Sequence, residues 1–406
     1  MTMKIAIIGG GAAGFFAAIT VKSLHPETDV YILEKANKVL AKVGVSGGGR
    51  CNLTNSFEGV TDLKQVYPRG HKLMKRLFKS FNERNSYEWF EAHGVRLVIQ
   101  DDHCVFPQSQ DSQSIIDCLV NEAHRLGVRI LPRHEVKGII QQPHDQWLLT
   151  LTDKQMAFDR IAITTGGAPR GKGLEYLSAL GHQIESPVPS LFTFNINDKS
   201  LRQLMGTVVT NTIVQMPGTK FRSSGSLLIT HWGMSGPAIL KLSSHAARHL
   251  AEHQYQVPIA VNWTGCTNNS DVQTLLTELA CQHAQKQLST ITPFQLPSRL
   301  WQFIIERAGL SVEKKWGEMG KKGLNKLVET LVNDHYDING KGAFKEEFVT
   351  CGGIALSNVN LNTLESKICP HLFFAGEVLD IDAVTGGFNL QAAWTTGYTV
   401  GRSIGE

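Results

Sequence analysis

Four groups of residues in this chain of 406 have the types and spacing that chemistry requires. The first is Gly9-Gly10-Gly11-Ala12-Ala13-Gly14, followed twenty positions later by Glu34 and then Lys35. Gly9 permits a tight turn, Gly11 has no side chain to hold a pyrophosphate off the backbone, and Gly14 lets a helix pack closely on the preceding strand. A phosphate can then sit on the helix N-terminus, while the carboxylate of Glu34 accepts both hydroxyls of an adenosine ribose and repels a 2′-phosphate. The second group runs from Lys42 through Gly47-Gly48-Gly49-Arg50-Cys51-Asn52. Three consecutive glycines carry an entropic cost that a plain surface loop does not require, so close approach of another group is expected there. The third group comprises Thr165-Gly166, Gly376-Glu377, Asp380, and Gly387, Asn389 and Gln391 around the start of the last helix. The fourth is His231-Trp232, where an imidazole could donate a proton.

Around these groups the chain must supply elements that hold them. Lys4 to Ile8 is a short apolar run of the kind that fills a parallel strand buried on both faces. A helix to about Leu24 and a second strand from Asp29 to Leu33 complete a βαβ beginning. His71 to His93 reads as one helix, Ile115 to Leu126 as another, and Glu135 to Ile140 with Trp147 to Thr152 as an antiparallel meander. The strand Arg160 to Thr165 then opens into Gly166-Gly167. Pro187-Val188-Pro189 marks a stiff boundary. Beyond it, strands at Leu191 to Ile196, Val208 to Val214, Leu227 to Thr230 and Val257 to Asn262 precede helices at Val272 to Gln287, Ser298 to Arg307 and Leu324 to Asn333. In His231-Trp232-Gly233-Met234-Ser235-Gly236-Pro237, Pro237 suits a first helical turn and Ser235 its cap. The expected fold is therefore α/β: a Rossmann-type domain with a parallel sheet and a β-meander at 1–189 and 344–406, interrupted at 190–343 by a domain with β and helical parts.

Composition narrows the function classes. With 42% hydrophobic and 19% charged residues and a formal net charge of +4, the chain is an ordinary globular one. Lys72, Lys75, Arg76 and Lys79 cluster at helical spacing but read as a solvated face, so no nucleic-acid partner is expected. No stretch is apolar enough to span a membrane, and the uncharged segment after Lys4 is better explained by the glycine fingerprint than as a signal-peptide core. Seven cysteines in no paired spacing point to a reducing, cytoplasmic setting. The histidines at 245, 249, 253 and 283 form no metal-ligand set and read as surface residues, so no metal is expected.

The segments Gly9 to Gly14, Ser46 to Asn55, Thr164 to Gly167, Ser224 to Pro237, Thr350 to Ile354, Thr363 to Lys367 and Gly376 to Gln391 together resemble the FAD-binding family that includes aminoacetone oxidase and the 3-dehydro-bile-acid reductases. The resemblance covers nearly the whole chain, and Ser46 to Asn52 with Gly376-Glu377-Val378-Leu379-Asp380 is its most specific part. It implies noncovalent FAD and an oxidoreductase whose substrate varies among members. By the family pattern Glu34 takes the adenosine ribose, Val136 lies by the adenine, Lys42 and Gly47 to Asn52 border the pyrophosphate and flavin, Asp380 takes the ribityl side, and Gly387, Asn389 and Gln391 meet the ring. Phe388 stands where many members have Tyr. Cys51 beside a flavin suggests a disulfide relay, but position 56 is Ser56, so Cys51 reads as a packed or flavin-adjacent thiol. The expected reaction moves hydride between flavin N5 and a small organic substrate held between the domains, with NAD(P)H as a candidate transient donor. His231 and Trp232 are the candidate catalytic residues. The alternatives are an oxidase passing electrons to O₂, of amine or aminoketone type, and a flavoprotein whose insert binds a macromolecule.

Overall fold

The computed structural model describes residues 2–143, 146–168, 171, 173–342 and 349–406. The chain divides into two compact units, Met1–Pro189 with Val349–Glu406, and Ser190–Phe348. Each has its own hydrophobic core.

In the first unit a five-stranded parallel sheet runs in the order Leu372–Phe374, Arg160–Ile163, Lys4–Ile8, Asp29–Leu33, Arg129–Leu131. The central strand pairs on both sides, Ile5 opposite both Val30 and Arg160, and Ile5 to Ile8 are at most 4% exposed. An unbroken apolar run is what such a position demands. The helix Ala12–Leu24 packs against the last helix, Phe388–Ser403, and glycines set their approach. A Cβ at Gly397 would lie 2.6 Å from the Ala13 carbonyl oxygen, and one at Gly401 2.7 Å from that of Ala17.

Two local readings change in this unit. The helix expected over 71–93 is two helices, His71–Leu77 and Glu83–Ala92. Asn82 separates them: its side chain accepts from the Arg84 and Asn85 N–H groups, and the Asn85 side chain accepts from the Asn82 N–H, a reciprocal cap that starts a new helix. Pro187 and Pro189 lie in the strand Ile184–Ser190, at whose end the first unit gives way to the second; it pairs with Val349–Ile354 in a two-stranded sheet where missing N–H groups are tolerated. The meander comprises Gly138–Gln141, Trp147–Thr150 and Gln155–Phe158, so its first strand begins three residues later than the pattern suggests.

The second unit is built on a closed antiparallel barrel, in the order Phe194–Ile196, Gly233–Ser235, Arg222–Thr230, Val208–Gln215, Pro258–Asn262, Asp334–Lys341 and back to the first. Closure leaves no edge strand to recruit another chain. The helix Pro237–His245 lies against Arg222–Thr230, and the helices Asn269–Gln282, Ser298–Arg307 and Gly320–Val332 complete the unit. The closing strand, Asp334–Lys341, is absent from the sequence reading because its first inward position holds a carboxylate. Asp334 is 4% exposed and accepts from Trp263 Nε1 (2.9 Å), Arg307 Nε (2.5 Å) and the Tyr336 hydroxyl (2.5 Å). Among the described residues no helix is long and apolar enough to cross a membrane.

Candidate functional site

Three sequence-distant segments meet in the first unit. At the turn after the central strand, Gly9 has φ +117°, and a Cβ there would lie 2.4 Å from the Thr164 carbonyl oxygen. Thr164 Oγ1 in turn donates to the Gly9 carbonyl at 2.8 Å. Gly14 is equally confined, its Cβ position 2.1 Å from the Gly9 oxygen. Gly11 is not: a Cβ there would meet nothing within 4 Å. It opens the helix Ala12–Leu24 with no side-chain cap and no acidic residue in the first turn, and the first bond back to the turn is Phe15 N–H to the Gly11 carbonyl. The N–H groups of Ala12, Ala13 and Gly14 therefore have no acceptor among the described residues, the usual condition of an anion site.

Glu34 sits beside this turn and is already engaged. Its Oε2 accepts from the Gly10 N–H at 2.8 Å and its Oε1 from the Ala36 N–H at 2.7 Å, so the carboxylate braces the glycine turn as well as facing it. Each oxygen retains a further lone pair, enough for two ribose hydroxyls. Lys35 is exposed, and the His134 N–H bonds the Glu34 carbonyl, which brings the loop carrying half-buried Val136 alongside.

In the second segment Gly47, Gly48 and Gly49 have φ of +57°, +70° and +87°, and Cys51 follows at +62°. Gly47 is packed against Asn52 and Phe106, whereas a Cβ at Gly48 or Gly49 would meet nothing within 4 Å. The segment is anchored from behind by Ser112, whose N–H and hydroxyl bond the carbonyls of Gly49 and Gly44 at 2.9 Å each. The Arg50 guanidinium lies 4.2 Å over the Phe106 ring, with Nε on the Gly47 carbonyl and Nη1 on Gln110, so it holds its own loop. Cys51 is fully buried; burial pushes its thiol up to about 12, and a hydrogen bond with Ser46 opposes this only in part. A thiol so protonated is no nucleophile at neutral pH.

The third segment joins the other two. A Cβ at Gly376 would lie 2.9 Å from Ala13 Cβ. Glu377 bonds Lys42 Nζ through Oε2 (2.7 Å) and the Thr350 N–H through Oε1 (2.6 Å), tying the second segment to the strand Val349–Ile354. Thr165 is exposed, and Gly166, at φ +76°, has its Cβ position 3.9 Å from Glu377 Oε2. Asp380 is half-buried, with its N–H on the Ile354 carbonyl. Asp382 nearby is 1% exposed and chelated by the Arg69 guanidinium. Burial disfavours the Arg69 charge, and Asp382, with Cys351 and Asp380, more than compensates, so Arg69 stays protonated.

The last helix begins at Gly387, φ +87°, without a side-chain cap or an early acid. With its amide nitrogen turned to the Thr54 carbonyl (3.0 Å), Asn52 accepts from the Gly387 N–H at 3.2 Å. A Cβ at Gly387 would lie 2.2 Å from the Thr54 carbonyl oxygen, so this glycine is required by the protein itself. Two side chains expected to meet a flavin ring are committed elsewhere. Asn389 exchanges hydrogen bonds with the Ala383 N–H (2.9 Å) and carbonyl (3.0 Å), and fully buried Gln391 accepts from Thr54 Oγ1 (2.6 Å) and donates to Thr395 Oγ1 (3.1 Å). Both shape the helix entry. Phe388 is core, packed edge-on against Phe57 at 5.0 Å, with the Tyr67 hydroxyl on its carbonyl. The backbone N–H groups of Phe388, Asn389 and Leu390 are left as donors at this terminus.

His231 and Trp232 belong to the second unit, where they form the two-residue turn between Arg222–Thr230 and Gly233–Ser235, with Thr230 opposite Gly233. His231 is exposed and its ring lies edge-on to Trp232 at 4.2 Å. Ser235 is not a cap: it ends the strand, and Gly236 at φ +92° precedes Pro237 at the helix start. The histidines are not all dispersed either. One turn of helix brings His249 and His253 together with Glu252, their ligand atoms within 4.8 Å of one another.

Sequence reasoning did not single out Thr54, Thr164 and Thr350, which position the glycines and Glu377; Thr164 and Thr350 each stand two positions before a glycine pair, the signal that could have found them.

The family model described as HI0933-like protein Rossmann domain matches residues 3–403. The chain is 26% identical over 415 residues to the 3-dehydro-bile acid delta(4,6)-reductase of Clostridium scindens, covering 99% of each protein. It is 27% identical over 409 residues to the ribosomal RNA dihydrouridine synthase of Haemophilus influenzae, covering 98% of this chain and 97% of that one. Among solved structures, the 3-ketosteroid-delta4-(5alpha)-dehydrogenase of Rhodococcus jostii aligns over 100% of this chain and 97% of its own, with TM-score 0.52 and 14% identity, a likeness of fold.

Proposed function

The chain belongs to the HI0933-like Rossmann family, and on that premise we propose that it is an FAD-dependent oxidoreductase acting on a carbon–carbon double bond conjugated to a carbonyl. The observation that carries the FAD reading is the pair of uncapped helix starts at Gly11 and Gly387, the first flanked by a carboxylate with lone pairs to spare. A dinucleotide offers the matching groups: phosphates for the first helix, ribose hydroxyls for Glu34, and an electron-rich ring edge for the second helix. When bound, FAD supplies hydride transfer at N5; the protein supplies binding, orientation and electrostatics.

The residues of the chain divide that work. Ala12, Ala13 and Gly14 offer N–H groups to the pyrophosphate, and Gly11, Gly48 and Gly49 keep side chains out of its way. Glu34 selects an unphosphorylated ribose. Phe388 to Leu390 present N–H donors and the positive end of a helix dipole, which favours negative charge at that end of the site. Asn389, Gln391 and Asn52 fix the geometry of that terminus from behind.

The substrate class is supported by what two relatives' names have in common. A 3-dehydro bile acid with Δ4,6 unsaturation and a uridine converted to dihydrouridine each lose a C=C bond in conjugation with a carbonyl. Hydride adds to the β carbon of such a system and a proton to the α carbon; His231 is our candidate donor of that proton. NAD(P)H is the proposed source of electrons.

Stopped-flow mixing of the FAD-loaded protein with NADH or NADPH should bleach the oxidised-flavin absorbance, and a 4-en-3-one steroid or a uridine-containing RNA should restore it anaerobically. Colourless protein that fails to take up FAD refutes the cofactor; rapid reoxidation by air alone, with neither acceptor effective, makes the enzyme an oxidase instead.

A further inference from the structure

In the second unit the helix Ala247–Glu252 ends by gathering three ligand-type side chains. His249, Glu252 and His253 each present one ligand atom, all within 4.8 Å of one another. Their spacing explains this: positions three and four apart share a helix face. His253 Nδ1 lies 2.8 Å from the His249 carbonyl oxygen, a contact that places a proton on Nδ1 and, in the neutral ring, leaves Nε2 with the lone pair. Metal-ligating imidazoles are held in one tautomer in the same way. The His249 ring packs against Phe221 at 5.5 Å and against the His253 ring at 4.2 Å, so less rotamer freedom remains to be lost on coordination.

We propose that His249, Glu252 and His253 form a surface site for a divalent transition-metal ion. Two imidazole nitrogens and one carboxylate suit Zn²⁺, Cu²⁺ or Ni²⁺, whereas Mg²⁺ and Ca²⁺ require oxygen ligands. Three protein ligands leave a tetrahedral ion one position for water. Glu252 and His253 are exposed, so the ion exchanges with solvent. The inference is independent of the flavin reading.

Calorimetric titration of EDTA-stripped, FAD-loaded protein with ZnCl₂ should show one equivalent bound, with no heat from MgCl₂. His249→Ala and His253→Ala should each weaken binding by about tenfold or more, and the double variant should abolish it. Cys281→Ser removes an exposed thiol elsewhere and should change nothing. With Cu²⁺, paramagnetic resonance should show coupling to two imidazole nitrogens in the wild type and one in either single variant, a signature that a folding defect does not produce. No Zn²⁺ uptake by the wild type, or uptake that persists in the double histidine variant, overturns the site.

Discussion

Gly11 in the first unit, at the cap of the helix Ala12–Leu24, and Gly233 in the second, the first residue of a barrel strand, both stand where a turn gives way to a regular element, yet they are glycine for opposite reasons. A Cβ at Gly11 would meet nothing within 4 Å; one at Gly233, φ +150°, would lie 2.3 Å from the Phe194 carbonyl oxygen. The nearby carboxylates repeat the contrast. Glu34 receives two backbone N–H groups and keeps lone pairs facing outward, whereas buried Asp334 is surrounded by Trp263, Tyr336 and Arg307. Hydrogen-bonding capacity left over after folding distinguishes a site from a scaffold. By that criterion Gly233 and Gly236 follow from barrel packing, needed where a Cβ would meet the backbone of Phe194–Ile196 or of residues 226–228.

The largest effect that would test this contrast is expected at Gly233→Val. The side chain has no room and the backbone angle is unfavourable, so the second unit should lose about 4 kcal/mol or more, read as a collapse of the urea midpoint. A soluble variant with a near-native midpoint would break the comparison at its scaffold end. Asp334→Asn comes next. It weakens the charge-assisted bonds that buried Asp334 accepts from Trp263, Tyr336 and Arg307, while Arg307 keeps Asp198 at 3.1 Å, at about 1.5 to 3 kcal/mol, with flavin content per folded molecule unchanged. Flavin loss without destabilisation would mean that this network serves the site after all.

Gly11→Val reverses the pattern. Gly11 has extended backbone (φ −93°, ψ −170°) that valine adopts readily, and the added methyls meet no protein atom near the Cβ position. Unfolding of the apoprotein should shift by less than about 1 kcal/mol, the ordinary difference at a helix cap. FAD affinity should fall about 100-fold, near 3 kcal/mol, because the branched side chain stands where a phosphate must approach. Gly387→Val cannot serve this purpose, since its clash with the Thr54 carbonyl perturbs the fold whatever binds.

The same distinction separates what could be read from the sequence. The parallel sheet was legible because Ile5 to Ile8 and the glycine turn are local signals, each interpretable within a few residues. Gly11, Gly48 and Gly49 were legible as open glycines for that reason. The side-chain partners of Asn389 and Gln391 were not legible because Ala383 and Thr54 are brought to them by the tertiary fold; Gln391 lies 337 positions from Thr54. The closing barrel strand was hidden by Asp334 and Tyr336 at inward positions, where a hydrophobic pattern search expects aliphatic residues. His249 and His253 stand four apart on a helix, a spacing visible in the sequence but masked by reading the histidines singly.

Glu34→Gln offers the finest test, because it changes one oxygen into an amide nitrogen and leaves volume intact. In the wild type both carboxylate oxygens accept backbone N–H groups, from Gly10 and Ala36. Glutamine keeps a single oxygen, so one of these N–H groups must face an NH₂ donor, and the outward acceptors for ribose hydroxyls drop by half. Removing a hydrogen bond to a charged acceptor costs about 1.5 kcal/mol at the low end, which predicts FAD binding weakened about tenfold in equilibrium dialysis. The apoprotein should also lose a little stability, since Glu34 braces the turn. The ratio of the two losses decides the role. A fall in FAD affinity that exceeds the stability loss places the spare lone pairs on the ribose; equal losses reduce Glu34 to a brace of the Gly10 turn, and a separate residue must then read the adenosine end.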